Sequence, residues 1–145
     1  MANGDMIESL SYSGTDDGGI AFSLSQSKTT SSVVRIQKQR VPVDSATEIT
    51  LLQIAAAETG DSFSSISKIV IKNLDSTNFV RIGRQVSAGD EIYEKLPAGD
   101  FMVINTVDID AATAGGGFGS FTSFTSLVAQ ADTADVDIEL FIFRT

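Results

Sequence analysis

Apolar residues recur at every second position along much of this chain, most clearly in the segment 136–143. A period of two is that of a β-strand, in which successive side chains point to opposite faces of a sheet. The same period occurs where Ile20, Phe22 and Leu24 alternate with small residues, and again where Val34 and Ile36 alternate with polar ones. These segments predict strands that are buried on one face.

Two stretches predict β-hairpins. In the first, the apolar strand 68–74 runs into the polar segment 73–78, which has the Asn and Asp residues of a turn, and Phe79–Gly83 returns as a strand. In the second, Ile92 and Tyr93 precede the Pro- and Gly-containing turn 96–100 and the apolar strand Phe101–Ile104. We therefore expect one hairpin over residues 68–83 and another around the turn 96–100.

The segment Ala46–Thr59 fits two structures. Ile49, Leu52 and Ala56 fit a helical stripe, whereas Leu52 and Ile54 fit a strand that runs into an Ala-rich loop, which is the interpretation we favour. Short strands separated by Gly, Asn, Asp and Ser predict an all-β fold, namely an antiparallel β-sandwich or jelly roll. The length of 145 residues is typical of one domain, which we expect over residues 1–145.

The chain contains no cysteine and no histidine. It therefore forms no disulfide and no Cys-based zinc site, and it lacks the residue on which Ser-His-Asp triads and most transition-metal sites depend. Its first ten residues lack a basic region followed by an apolar run, and no segment approaches the roughly 20 apolar residues of a membrane helix. We predict a non-enzymatic protein with no cofactor, no metal site and no membrane partner.

Charge is distributed unevenly along the chain, whose formal net charge is -9. This charge argues against a nucleic-acid partner, because phosphate binding depends on Lys and Arg. The bases Arg35, Lys38 and Arg40 lie in a locally basic segment, whereas residues 86–145 are strongly acidic. These three bases are candidate partner-binding residues for an acidic surface, such as the C-terminal part of a neighbouring subunit. Charges on an edge strand also discourage unwanted strand pairing, and the sequence leaves both interpretations open.

The segment Ala111–Ser126 is rich in Gly, Ser, Thr and Ala, and it predicts a long flexible loop at about 111–126. Its run of glycines lacks the flanking strand, the helix and the Gly-Lys-Ser/Thr ending of a phosphate-binding loop, so we predict no nucleotide site. Phe118, Phe121 and Phe124 are candidate partner-binding residues, because exposed aromatic side chains commonly anchor interfaces. Alternatively, these residues fold back and plug the end of the sandwich.

Four carboxylates lie close together near the end of the sequence: Asp132, Asp135, Asp137 and Glu139. Such a group can bind a hard cation or supply an acid and a base, but it lacks the spacing and the glycine of a calcium loop. We favour a solvated strand face. The aromatic positions of the same strand, Phe141 and Phe143, are covered either by another segment of the chain or by a partner, and we favour packing within the chain.

The segments KIVIKNLDSTNFVRIGR and GDEIYEKLPAGDFMVI, with the ending LVAQADTADVDIELFIF, resemble small β-sandwich structural proteins of tailed-bacteriophage virions. In that family a strand, an Asn-Leu-Asp-x-Thr-Asn turn and a return strand precede a Leu-x-Pro/Ala-Gly-Asp/Glu hairpin. The resemblance is one of pattern and layout, extends over most of the chain and includes no catalytic motif.

The resemblance implies a virion protein, assembled in the host cytoplasm, that associates with copies of itself or with the major capsid protein. Its implied role is that of a decoration (cement) protein, which binds the head lattice and stabilises the particle. Neck, tail and fibre components share similar folds and stay open. A carbohydrate- or receptor-binding module is also open, although sugar platforms rely on Trp and Tyr, and the chain has no Trp and two Tyr. A hydrolase that uses Asp137 and Glu139 is the least favoured alternative.

Overall fold

The computed structural model describes residues 4–15, 17–33, 35–55, 62–86, 91–110 and 121–145. These residues form β-strands joined by turns, without a helix, and so without a helix that could cross a membrane. The all-β antiparallel fold predicted from the period of two is confirmed. The strands of the described residues are β1 (Gly4–Thr15), β2 (Ala21–Val33), β3 (Arg35–Val43), β4 (Ile49–Ile54), β5 (Ser62–Phe63), β6 (Ile66–Asn73), β7 (Val80–Gln85), β8 (Glu91–Leu96), β9 (Phe101–Ile104), β10 (Asp108–Asp110), β11 (Phe121–Ser123), β12 (Ser126–Ala131) and β13 (Val136–Arg144).

The chain divides into two compact units. The first extends to Arg35 and also includes Thr145, and its strands β1 and β2 form a long antiparallel hairpin. The second, Ile36–Arg144, contains the remaining sheets. The single domain expected over residues 1–145 stays a prediction.

The second unit contains a five-stranded sheet of order β5-β4-β12-β7-β8 and a four-stranded sheet of order β3-β13-β6-β9. Without the short strands β5, β10 and β11, eight strands remain. When these eight strands are renumbered from 1 to 8 along the chain, the five-stranded sheet without β5 has the order 2-7-4-5, and the four-stranded sheet has the order 1-8-3-6. This is the strand order of a jelly roll, which is built from two Greek keys. Of the two folds left open by the sequence, the strand order therefore favours the jelly roll.

One hydrophobic cluster draws on both of these sheets. Ile138, Leu140 and Ile142 of β13 are completely buried, as the alternation predicts, and Val80 and Ile82 contribute from β7 in the other sheet. Burial of apolar surface contributes about 25 cal/mol per Å². Because the chain has no cysteine, this cluster stabilises the jelly roll without help from disulfides.

The two predicted hairpins are wrong, although their strands and turns are correct. β6 belongs to the four-stranded sheet and β7 to the five-stranded sheet, so the turn between them crosses from one sheet to the other. The turn between β8 and β9 also crosses, and there Gly99 adopts a φ of +70°, which favours glycine. The hairpin partner of β8 is instead β7.

Asn73 connects these two crossings. Its side chain is completely buried, and its Nδ2 donates to the carbonyl oxygens of Asn78 at 2.9 Å and Pro97 at 3.0 Å. Its Oδ1 accepts the backbone N–H of Asp75 at 2.9 Å, and its own backbone N–H donates to the carbonyl of Asp100 at 2.9 Å. A single residue thus satisfies backbone groups of both turns and holds them side by side.

The ambiguous segment Ala46–Thr59 and the predicted loop at 111–126 have different outcomes. β4 confirms the strand predicted within Ala46–Thr59, whereas residues 56–61 lie outside the described residues. Residues 111–120 of the predicted loop also lie outside them. From Phe121 onward the loop prediction is wrong, because Phe121–Ser123 pairs with β10 as β11 and β12 begins at Ser126.

Candidate interaction surface

The outward side of the four-stranded sheet carries a row of apolar side chains. Because the inward positions of its strands fill the core, the intervening residues face outward. Phe141 of β13 lies opposite Val70 of β6, and Val70 lies opposite Val103 of β9. Phe101, two residues before Val103 on the same side, is 60% exposed. Phe101 itself lies opposite Lys72 of β6, and the apolar row ends at Val103, which is 39% exposed.

Two ion pairs between β3 and β13 border this row. The Nζ of Lys38 is 3.1 Å from Oε1 of Glu139, and Nη2 of Arg40 is 2.5 Å from Oδ2 of Asp137. The Nζ of Lys38 also lies 5.4 Å from the centroid of the Phe141 ring, which is within the range of a cation–π contact. Lys38 and Arg40 therefore lie on the outward side of the sheet.

Ile36 precedes Lys38 by two residues and so shares this side of β3. It is 55% exposed. Contiguous exposed apolar side chains with polar residues around them are typical of interaction sites, whereas single exposed apolar residues are not. We name the following set the apolar sheet face: Ile36, Val70, Phe101, Val103 and Phe141.

The sequence left two roles open for the basic residues Arg35, Lys38 and Arg40: binding of an acidic surface, such as that of a neighbouring subunit, or protection of an edge strand against unwanted pairing. The structure supplies acidic neighbours for Lys38 and Arg40 from β13 of the same chain. Exposed ion pairs of this kind contribute at most about 1 kcal/mol. Arg35 is exposed. A role of these three bases in binding a further partner stays a prediction.

The aromatic candidates of the segment 111–126 lie in different environments. Phe118 lies outside the described residues, and Phe121 is exposed on β11. Phe124 is completely buried, and its backbone N–H donates to the carbonyl of Val107 at 3.0 Å. Its burial agrees with the alternative that these aromatics fold back into the sandwich, and it places Phe124 out of a partner's reach.

The outward side of the five-stranded sheet is polar. Glu48 accepts hydrogen bonds from Arg81 at 3.2 Å, from the hydroxyl of Tyr93 at 3.0 Å and from Gln85 at 3.4 Å. Arg81 also donates to Oε1 of Gln130 at 2.7 Å. The two sheets thus present different outward surfaces, one with a hydrogen-bonded polar network and one with an apolar row.

Tyr93 is a fixed part of the polar network. Its hydroxyl donates to Glu91 and to Glu48, and the bond to Glu91 is the main cause that raises the pKa of the phenol well above its ordinary value. Its ring lies over Gly83, where a Cβ would be 2.5 Å from Cε1 of the ring. The carbon of the Arg81 guanidinium is 4.4 Å from the ring centroid. The phenol therefore stays protonated at neutral pH.

The described residues contain no group of three or more His, Cys, Asp or Glu that could hold a metal ion. Two of the carboxylates that were predicted to form a solvated strand face accept hydrogen bonds within the chain. Asp137 accepts from Arg40, and Asp135 accepts the backbone N–H of Ser45 at 2.9 Å. An open groove of about 400 Å³ lies beside them. It is lined by Arg40, Pro42, Leu74, Asp75, Asp135, Val136 and Asp137.

Three exposed members of the apolar sheet face, Ile36, Phe101 and Val103, were not identified from the sequence as candidate site residues. A signal was present in Phe101–Ile104, where four consecutive apolar residues place apolar side chains on both faces of one strand. One of those faces has to be directed away from the core. For Ile36 the sequence gives only the alternation, which does not say which face is inside.

Comparison with known proteins gives no relative. No protein-family model, no curated protein and no solved structure matches the chain.

Proposed function

We propose that this chain is a non-enzymatic structural protein of a tailed-bacteriophage virion, and specifically a decoration protein that binds the head lattice and stabilises the particle. The observation that carries this proposal is the apolar sheet face, in which Ile36, Phe101 and Val103 are exposed on the outward side of the four-stranded sheet. The virion class itself comes from the resemblance in sequence pattern.

The apolar sheet face offers enough surface for one contact of a repeated lattice. Burial of Ile36, Phe101 and Val103 would remove roughly 250 Å² of apolar area from water, a gross gain of about 6 kcal/mol. The loss of translational and rotational freedom offsets much of this gain in a single contact. Attachment at many equivalent positions, or by several linked copies, compensates for a weak single contact.

The fold is compatible with this role without assigning it. Jelly rolls occur in viral capsid proteins and in lectins, so the architecture alone does not select a function. A lectin-like role requires an exposed aromatic platform with free polar groups around it. In this chain the hydroxyl of Tyr93 and the side chain of Arg81 are already bonded to neighbouring side chains. Attachment through the apolar sheet face is therefore the better supported proposal.

The test is the rebinding of purified protein to particles that lack it. We expect the double substitution Phe101→Ser and Val103→Ser to weaken binding at least tenfold, because both side chains lie at the exposed end of the apolar sheet face. The matched control is Ile92→Ser, which removes an exposed apolar side chain from β8 of the other sheet. Melting curves of both variants show whether each is folded. Full binding by the folded double variant would contradict the proposal.

Two alternatives from the sequence remain, a neck, tail or fibre component and a receptor- or carbohydrate-binding module. The first predicts a few copies per particle instead of many. The second predicts saturable binding of the free protein to a glycan array. Neither outcome is expected for a decoration protein.

A further inference from the structure

β9 is an outer strand, because the order β3-β13-β6-β9 places it at one end of the four-stranded sheet. It pairs with β6 on one side, and no strand of the described residues pairs with its other side. An outer strand has a row of backbone N–H and C=O groups that can pair with a further strand. The free edge of β9 is therefore a candidate for association through the backbone.

The ladder with β6 shows which backbone groups of β9 are directed to the free edge. In an antiparallel pair, residues that exchange hydrogen bonds with the neighbouring strand alternate with residues whose N–H and C=O point away from it. The backbone N–H of Asn73 donates to the carbonyl of Asp100 at 2.9 Å, so Asp100 and every second residue after it are directed toward β6. Phe101 and Val103 therefore direct their backbone groups to the free edge.

These two residues differ in what their backbone groups bind. The N–H of Phe101 donates to Oδ1 of Asp100 at 2.8 Å, so this donor is already satisfied. No hydrogen bond in the described part of the chain uses the backbone N–H or C=O of Val103. Val103 thus offers one donor and one acceptor to a further strand.

β9 also lacks the features that protect an outer strand from pairing, which are charged side chains, proline and bulges. β3, at the opposite end of the same sheet, has three basic residues and a proline, and β8, at one end of the five-stranded sheet, has two glutamates and a lysine. β9 has the sequence FMVI, without a charge or a proline, and its register with β6 has no bulge. Of these three outer strands, β9 is the one that is open to pairing.

The free edge of β9 is complementary to the same edge of a second copy. Two identical antiparallel strands pair about a twofold axis, and residues that lie opposite each other point to the same side of the sheet. With the axis beside Val103, the N–H of each Val103 donates to the C=O of the other, so both free groups are satisfied. With the axis beside Met102, the C=O of Val103 would face the N–H of Phe101, which Asp100 already occupies. The hydrogen bonds therefore select the axis beside Val103.

The side chains match in the same alignment. On the outward side, Val103 lies beside Val103 of the other copy, and on the core side Met102 lies opposite Ile104. No charged side chain of β9 enters the contact. The apolar sheet faces of the two copies then lie next to each other on one continuous sheet.

The length of β9 sets the expected strength of this contact. A stable dimer buries about 800 Å² per partner, and a strand pair of four residues buries less. We therefore expect a reversible, concentration-dependent dimer.

We propose that β9 pairs with β9 of a second copy, antiparallel and about a twofold axis beside Val103, so that the four-stranded sheets of the two copies join. The occupant of this edge has to be an uncharged strand, apolar on both sides, with a free donor and a free acceptor at its centre, and β9 itself meets each of these requirements. The inference does not rest on the proposed function, because self-association is measured on the purified chain without any particle.

The first test is sedimentation equilibrium of the full chain over a wide concentration range. Physiological ionic strength screens the repulsion between copies, whose formal net charge is -9. We expect a monomer–dimer equilibrium whose dissociation constant rises at least tenfold on Val103→Pro. This change removes the N–H on the free edge and no N–H of the ladder with β6.

The matched control at the same position is Val103→Ala, which shortens the side chain and keeps the N–H. We expect it to raise the dissociation constant less than about threefold, and melting curves show whether each variant is folded. A chain that stays monomeric, or a dimer that Val103→Pro does not weaken, would overturn the inference. A monomeric chain that still binds to particles would overturn it and leave the proposed function standing.

The second test keeps every backbone N–H and uses charge to verify the alignment. Val103→Lys places two lysines beside each other at the axis, and Val103→Glu places two glutamates there. Each variant alone is expected to dimerise less than the original chain, whereas an equimolar mixture is expected to form the mixed dimer at least tenfold more readily than either variant forms its own.

The control pair for the charge test is Ile92→Lys and Ile92→Glu on the exposed side of β8, for which mixing is expected to have no effect. Equal association of the Val103 variants in the mixture and separately would overturn the proposed alignment.

Discussion

Asn73 is a buried amide whose hydrogen bonds join the two crossings next to it. Replacement by leucine keeps the approximate volume but leaves the carbonyl oxygen of Asn78 and the backbone N–H of Asp75 without their side-chain partner, while the carbonyl of Pro97 keeps the backbone N–H of Asp100 at 3.3 Å. Each unsatisfied buried group costs about 1–3 kcal/mol, so we expect Asn73→Leu to lower the free energy of unfolding by about 3 kcal/mol in urea denaturation. The exposed Asn105 is the matched control, and Asn105→Leu should change the free energy by less than about 0.5 kcal/mol. A similar small change for Asn73→Leu would contradict the account of this residue.

Gly83 is a position at which space, and not backbone conformation, excludes a side chain. A Cβ there would lie 2.5 Å from Cε1 of Tyr93 and 2.6 Å from Cγ2 of Val128, so both neighbours would have to shift. We expect Gly83→Ala to destabilise the chain by about 1–3 kcal/mol, as overpacking does in other cores. Gly4→Ala is the control, since nothing lies within 4 Å of its Cβ position. Thermal unfolding of both variants measures the difference, and equal melting temperatures would rule out the close approach.

In two of the turns that connect one sheet to the other, an aspartate carboxylate accepts hydrogen bonds from backbone N–H groups of the turn. Asp75 accepts the backbone N–H groups of Asn78 at 2.6 Å and Thr77 at 2.7 Å, and these bonds hold the pKa of its carboxyl below the ordinary value of 3.8. In the turn between β3 and β4, Asp44 accepts from Ala46 at 2.6 Å and also from Thr47, with the same effect on its pKa. Both turns thus contain a carboxylate that is bonded to the backbone in its charged form.

The direction of the pH dependence follows from these lowered pKa values. A group whose pKa is lower in the folded chain stabilises the fold above its unfolded pKa, near 4, and this contribution is lost as the pH falls through the folded value. We expect stability to fall below about pH 4, and to fall less steeply in the Asp75→Asn and Asp44→Asn variants. Urea denaturation at a series of pH values between neutral and strongly acid measures these slopes. Identical slopes in the original chain and in both variants would show that these turns do not control acid unfolding.

The positions of many strands were predictable from the sequence, whereas the pairing between strands was not. The strands around residues 68–104 and the chemistry of their turns were predictable, because Asn, Asp, Pro and Gly act through local backbone preferences. The strand with which each of them pairs was not predictable. A strand, a turn and a second strand give the same local sequence pattern whether the two strands pair with each other or belong to different sheets. β12 was not predicted as a strand because Leu127, Val128 and Ala129 are all buried and show no alternation.

The candidate surface was less predictable than the fold. Lys38 and Arg40 were recognised as a basic pair, but their ion pairs with β13 depend on the order of strands in a sheet, which no local pattern contains. The spacing of Phe121 and Phe124 gave no sign that one is exposed and the other completely buried. Burial is a property of the assembled core, to which distant segments contribute.

At the scale of the whole molecule, the function that we propose depends on the chain being part of a particle. The most direct measurement is the copy number of this chain in purified virions, by quantitative mass spectrometry against the major capsid protein. We predict a ratio comparable to that of the capsid protein, as a decoration protein on the head lattice requires. Absence of the chain from purified particles would contradict the proposed function, and a ratio far below that of the capsid protein would contradict the decoration role.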